Sequence, residues 1–104
     1  MKRPLKAPDV LKRVRECLDT GRYYDTSHAF IRKLQRNISL PYVLHVLRNG
    51  YHEKQKDENK PEHNDWTYAI RGLTTDNQDI RIAIAFDEDD MLIITVIQVT
   101  KGSR

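Results

Sequence analysis

The chain has 104 residues, 38% of them hydrophobic, a single cysteine and a formal net charge of +3. That length suits one domain with its own core. The lone thiol excludes an intrachain disulfide framework and suits a reducing, cytoplasmic setting, and no apolar run is long enough to cross a membrane as a helix. The net charge conceals an asymmetry, because residues 1–56 hold 13 Lys/Arg against 5 Asp/Glu, whereas residues 57–104 hold 5 against 10. A basic half favours an anionic partner such as nucleic acid. Charged helix faces that only keep a protein soluble would give the same count, and the acidic half could bind a basic partner.

Residues 1–8 are basic and broken by Pro4 and Pro8, and they read as a flexible leader without signal-peptide layout. A helix is expected over 9–20, with Asp9 as N-cap, Val10, Leu11, Val14, Cys17 and Leu18 at helical spacing, and Gly21 as the stop. A second helix is expected over 27–36, capped by Thr26 or Ser27, with Phe30, Ile31 and Leu34 facing the core. A third covers 40–49, with Pro41 in its first turn, Val43, Leu44, Val46 and Leu47 inside, and Asn49 and Gly50 at its end.

After Gly50 the period changes to alternation. Residues 51–56 read as a polar edge strand, and 57–65, without a large apolar residue, as an exposed loop. Trp66, Tyr68 and Ile70 alternate with polar or small residues in the next strand, and Ile80, Ile82, Ile84 and Phe86 line one face of another. Turns fall at Asp76 and Asn77 and at 87–90. The almost wholly apolar run 92–99 suits a central strand covered on both faces, and 101–104 is a tail. The expected fold is a single α+β domain, with a helical part over 9–50 packed on one face of a four-stranded antiparallel sheet over 51–100.

The most informative spacing lies in the second helix. His28, Arg32 and Arg36 follow at intervals of four residues and fall at about 0°, 40° and 80° of the helical wheel, whereas Phe30, Leu34 and Ile31 fall at about 200°, 240° and 300°. The ionisable stripe therefore turns away from the core. His28 stands in the first turn, where the helix dipole favours neutral imidazole and attracts anions. Such an imidazole can take a proton from a ribose 2′-hydroxyl while guanidinium groups hold a phosphate. Any surface helix with a polar face would show the same stripe.

The run from Ser27 to Ser39, containing His28, Ala29, Arg32, Arg36 and Ile38 and followed by Val43 and Gly50, resembles the opening of domain-of-unknown-function family 4258, H-A-x-x-R-x-x-x-R-x-I-S. The closing strands of that family resemble Tyr68, Ala69, Ile70, Arg71 and Gly72, and the run Ile93, Ile94, Thr95, Val96 and Ile97. The family has been grouped with the RelE-, barnase- and colicin-like ribonuclease toxins. That resemblance implies their fold, helices before a four-stranded antiparallel sheet, and an endoribonuclease toxin of a toxin–antitoxin system that cleaves by 2′-hydroxyl attack. It implies His28 as the catalytic base or acid, Arg32 and Arg36 as phosphate-binding groups, and Arg71 and Thr95 on strands facing the cleavage site. No metal or cofactor is expected. The implied partners are RNA, ribosome-associated in some such toxins, and a cognate antitoxin or similar small protein, with no membrane. The alternative is a non-catalytic module of the same fold that binds nucleic acid or protein in an antitoxin, immunity or regulatory role. The helix at 9–20 lies outside the family pattern, and the 57–65 insertion lengthens a hairpin.

Weaker candidates surround this site. His52, Lys54 and Lys56 alternate along the expected first strand, so Lys54 and Lys56 are candidates for nucleic-acid binding, although a polar edge strand explains them equally well. Tyr23 and Tyr24 could stack on bases, whereas Trp66 and Cys17 suit the core. His45 and His63 lack companions at metal-ligand spacing, and the acidic turn 87–90 lacks EF-hand spacing.

Overall fold

A computed structural model describes residues 9–26, 38–60 and 65–99. The expected helix at 27–36, with His28, Arg32 and Arg36, lies outside the described residues. The first described helix, α1 (Val10–Thr20), buries Val10, Val14 and Cys17, the positions that its apolar spacing selects. Asp9 stands at its N-cap in the left-handed region at φ 49° and makes no side-chain cap bond. Gly21 ends the helix at φ 73°, a conformation that a residue without Cβ adopts freely. A three-residue strand, β1 (Tyr23–Asp25), follows. The second described helix, α2 (Leu40–Asn49), carries Pro41 in its first turn and buries Val43, Val46 and Leu47.

The remaining strands are β2 (Tyr51–His52), β3 (Glu58–Lys60), β4 (Asp65–Leu73), β5 (Asp79–Asp87) and β6 (Asp90–Gln98). They form a six-stranded sheet in the order β1-β6-β5-β4-β2, with β3 also pairing with β4. The pairs β4–β5 and β5–β6 are antiparallel hairpins, whereas β1 runs parallel to β6, with Tyr24 opposite Leu92.

This mixed sheet overturns the expected four-stranded antiparallel, RelE- or barnase-like architecture. A parallel strand lies between the two described helices in sequence, so the order is not helices first and strands after. Three further corrections follow from local causes. The strand expected over 51–56 stops at His52, and Lys54–Lys56 forms a 3₁₀ turn, so His52, Lys54 and Lys56 do not alternate along a strand. The expected loop 57–65 holds β3, whose polar residues pair at a sheet edge that needs no apolar side chains. The apolar final strand is interior, between β1 and β5, but it is not covered along its whole length: Ile97 of β6 is 42% exposed.

One sheet face carries Tyr68, Ile70, Ile80, Ile82, Ile84, Met91, Ile93 and Val96 against the buried side chains of α1 and α2. Gly50 and Gly72 let α2 approach β4. A Cβ at Gly50 would stand 2.5 Å from the Arg71 carbonyl oxygen and 2.7 Å from that of Val46. Gly50 has φ −80°, so close approach rather than a left-handed turn is what requires glycine there. At the other end of the sheet, α1 grips the turn between β5 and β6. The Arg13 guanidinium lies 4.2 Å from the Phe86 ring centroid and donates to the Glu88 carbonyl.

Candidate functional site

The sheet face turned away from α1 and α2 carries Thr67, Ala69 and Arg71 of β4, Arg81, Ala83 and Ala85 of β5, and Leu92, Thr95 and Ile97 of β6, as alternation and register require. Thr95 reaches this face because of a bulge. Ala83 pairs with Thr95 and Ile84 with Ile93, which leaves Ile94 as the extra residue. The burial pattern of β6 changes parity at that point, so Ile94 and Thr95 both leave the core while Ile93 and Val96 stay in it. Re-aiming a side chain in this way is a common consequence of an inserted strand residue.

A groove of about 420 Å³ runs over this face. Ala69 and Ala83 form its floor, too small to fill it, and Ile94 and Ile97 border it. Its polar groups are Lys56 and Glu58 from the edge, Thr67 and Thr95 from the strands, and Arg81 from the centre.

Arg81 is held from below by a buried carboxylate. Glu53, 7% exposed, accepts from Arg81 Nε at 2.7 Å and Nη2 at 3.3 Å, and from Arg71 Nη1 at 3.1 Å. Arg71 also donates to Asp79 through Nε at 3.1 Å and Nη2 at 2.8 Å, a bidentate pair. The Arg81 hydrogen bonds, then those from Arg71, hold the Glu53 carboxyl below its ordinary range despite its burial. The Arg71 guanidinium, bonded to Asp79 and then to Glu53, is driven still further into its charged form.

The 3₁₀ turn that brings Lys56 to the groove is clamped beneath. His52 Nε2 lies 2.8 Å and 3.0 Å from the two Asp57 carboxylate oxygens, and Asp57 Oδ1 accepts from the Ala69 amide at 3.0 Å. The Asp57 side chain is fully buried, so a removed partner would leave its charge or acceptors without solvent.

Of the residues singled out in the sequence, Thr95 and Lys56 come together in this groove. Arg71 lies on the same sheet face but is engaged by Asp79 and Glu53, and Lys54 is exposed on the 3₁₀ turn and does not line the groove. His28, Arg32 and Arg36 lie outside the described residues. Sequence reasoning missed Arg81, Glu53, Asp57 and Asp79. Arg81 had a usable signal, an arginine at the off-core phase of an apolar alternation. Glu53 had none, because its partners are 18 and 28 residues away.

The described residues hold no group of three or more His, Cys, Asp or Glu that could bind a metal, and no helix among them is long and apolar enough to cross a membrane. What the groove offers is two cations, two hydroxyls and one carboxylate over a floor wide enough for a flat or extended ligand.

The chain belongs to the family described as domain of unknown function (DUF4258), whose model matches residues 25–98. The match begins at Asp25, the last residue of β1, takes in the whole groove and leaves α1 outside. Comparison with curated proteins and with solved structures returns no match.

Proposed function

We propose that this chain is an endoribonuclease that takes single-stranded RNA along the sheet face turned away from α1 and α2 and cleaves it by attack of the 2′-oxygen on the adjacent phosphate, with departure of the 5′-oxygen. One observation carries the reading: Lys56 and Arg81 meet at a groove whose alanine floor leaves room for a nucleotide. Phosphate recognition needs donors on a preorganised guanidinium, and the Glu53 clamp orients Arg81 while its Nη1 makes no hydrogen bond among the described residues. Thr95 supplies a hydroxyl at the same surface. His28, beside Arg32 and Arg36 in the sequence, is the proposed proton-transfer group. The proposed partners are RNA and a small antitoxin-like protein that covers the groove.

Incubation of the purified chain with a labelled single-stranded RNA in excess chelator tests this. Cleavage is expected, with products ending in a 2′,3′-cyclic phosphate. His28→Ala should reduce the rate by about 10²–10⁴-fold, as loss of a general acid–base group does, with an unchanged melting curve. Intact RNA after prolonged incubation would refute catalysis.

A second reading has its own support. Glu53 and Asp79 balance the charges of Arg71 and Arg81, which leaves this surface less cationic than the basic half of the sequence suggests. A non-catalytic module that binds RNA or protein through the same groove fits that balance, and binding without cleavage would select it.

A further inference from the structure

The groove does not end at Thr95. A second cavity of about 390 Å³ lies on the same sheet face and shares Thr67 and Ile94 with the first. Ala85 and Leu92 continue its apolar lining, Asp87 adds a polar group at the far end, and Thr26 adds one beside Ile94. Along β5, Arg81 and Ala83 belong to the first cavity and Ala85 and Asp87 to the second. The two pairs are offset by four residues of strand, about 13 Å, close to two steps of an extended nucleic-acid strand.

The two ends differ in chemistry. Lys56 and Arg81 make the first cavity a place for phosphate. The polar groups of the second are acceptors. The Thr26 hydroxyl donates its proton to the Ile93 carbonyl at 2.5 Å, and the Thr67 hydroxyl donates to the Glu58 carbonyl at 3.4 Å. Each keeps only lone pairs for a ligand, and an ionised Asp87 has nothing but acceptors. The Asp87 charge also repels a phosphate from that end. A flat ligand with a hydrogen-bond donor on the edge turned toward Asp87 satisfies that carboxylate. Tyr24, 58% exposed, stands opposite Leu92 in the parallel β1–β6 pair and on the same face, which provides an aromatic surface at the border of the cavity.

We propose that the second cavity is a nucleobase subsite selecting bases with an exocyclic amino group, cytosine in preference to uracil, and that the RNA strand runs from the Lys56 and Arg81 end to the Asp87 end. The inference rests on the RNA reading above and adds its specificity. Cytosine presents an amino donor at the position where uracil presents a carbonyl acceptor. Uracil would set a carbonyl acceptor against the Asp87 carboxylate.

The test is fluorescence anisotropy with the full chain, using end-labelled oligocytidylate and oligouridylate RNAs of equal length at one salt concentration. The cytidylate should bind roughly tenfold more tightly, the size of one good base-edge contact. Asp87→Asn replaces one acceptor by a donor and should bring the two affinities together, with a melting curve matching the parent. Arg81→Ala should weaken both oligonucleotides and keep their ratio. Equal binding of both RNAs by the parent, or an unchanged ratio in Asp87→Asn, would overturn the base subsite and leave the RNA reading standing. Binding of neither RNA would overturn both.

Discussion

Truncating Glu53 probes the network beneath the groove most directly. Glu53→Ala removes the acceptor for two Arg81 bonds and one Arg71 bond, at 2.7, 3.3 and 3.1 Å. Breaking a buried ion pair by deleting one partner typically costs about 3–5 kcal/mol. Here the cost is smaller for two reasons. The Arg71 and Arg81 side chains are 24% and 22% exposed, so water recovers part of their solvation, and Arg71 keeps its bidentate pair with Asp79. The expected loss is about 2 kcal/mol, or roughly 10 °C in the melting temperature of a domain of this size. Glu53→Gln keeps an acceptor oxygen and should lose about half as much. The sign of the pH dependence follows from the lowered Glu53 pKa. Its contribution is fully present above the ordinary carboxyl value of 4.5 and is lost as pH falls through the lower folded value. The gap between parent and Glu53→Ala should therefore narrow on acidification below that value. Urea unfolding followed by circular dichroism, repeated across pH, measures both effects. A Glu53→Ala loss below about 0.5 kcal/mol, the range of a solvated surface pair, with no pH-dependent gap, would show that the network does not hold the face together.

Three other outcomes are expected. Gly50→Ala should destabilise the fold by about 1–3 kcal/mol through overpacking, because its Cβ meets backbone oxygens of Arg71 and Val46 that have no room to yield; chemical denaturation reads this directly. Burial raises the Cys17 pKa, so the thiol stays protonated at neutral pH and should react with an aromatic disulfide reagent at the rate of global unfolding, whereas prompt labelling of the native chain would contradict its place in the core. In salt titrations of RNA affinity, Arg81→Ala should flatten the log–log slope by about one contact and Arg71→Ala by about none, since Arg71 is committed to Asp79 and Glu53.

Local periodicity made much of the fold legible. The spacing of Val10, Val14 and Cys17 marked α1, Pro41 and Gly50 bracketed α2, and the isoleucines of β5 announced its buried face. What escaped was non-local or too short to have a period. Tyr23–Asp25 is three residues long, and nothing in them says that they will pair with β6 across more than sixty residues of chain. β3 was hidden by polarity, which an edge strand tolerates. Among site residues, Thr95 and Lys56 emerged from the sequence reading and do line the groove, although the strand expected to carry Lys56 ends at His52. Arg71 was visible as an off-core cation, but its engagement by Asp79 and Glu53 depends on register and on the 3₁₀ turn, neither of which leaves a mark in the sequence.

The sheet face turned away from α1 and α2 owes its groove to two departures from regular structure. A strictly alternating β6 would place Thr95 with Ile93 on the core face, where an unpaired hydroxyl would be costly. The extra residue at Ile94 resolves that conflict. It delivers Thr95 to the face turned away from α1 and α2 and puts Ile94 between the two cavities, where it borders both. At the other edge, the chain leaves the sheet after His52, dips so that Glu53 is buried under two arginines, and returns with Lys56 at the groove and Asp57 pinned by His52 and the Ala69 amide. A continued β2 would alternate its side chains regularly and could not bury Glu53 while returning Lys56 to the groove. Both irregularities fall within the residues matched by the family, 25–98. The extra helix α1 acts at a distance from them: Arg13 and Cys17 hold the turn at Glu88 and Asp89, next to Asp87 at the far end of the second cavity. The family core thus builds the trough, and α1 steadies the end where the base is proposed to sit.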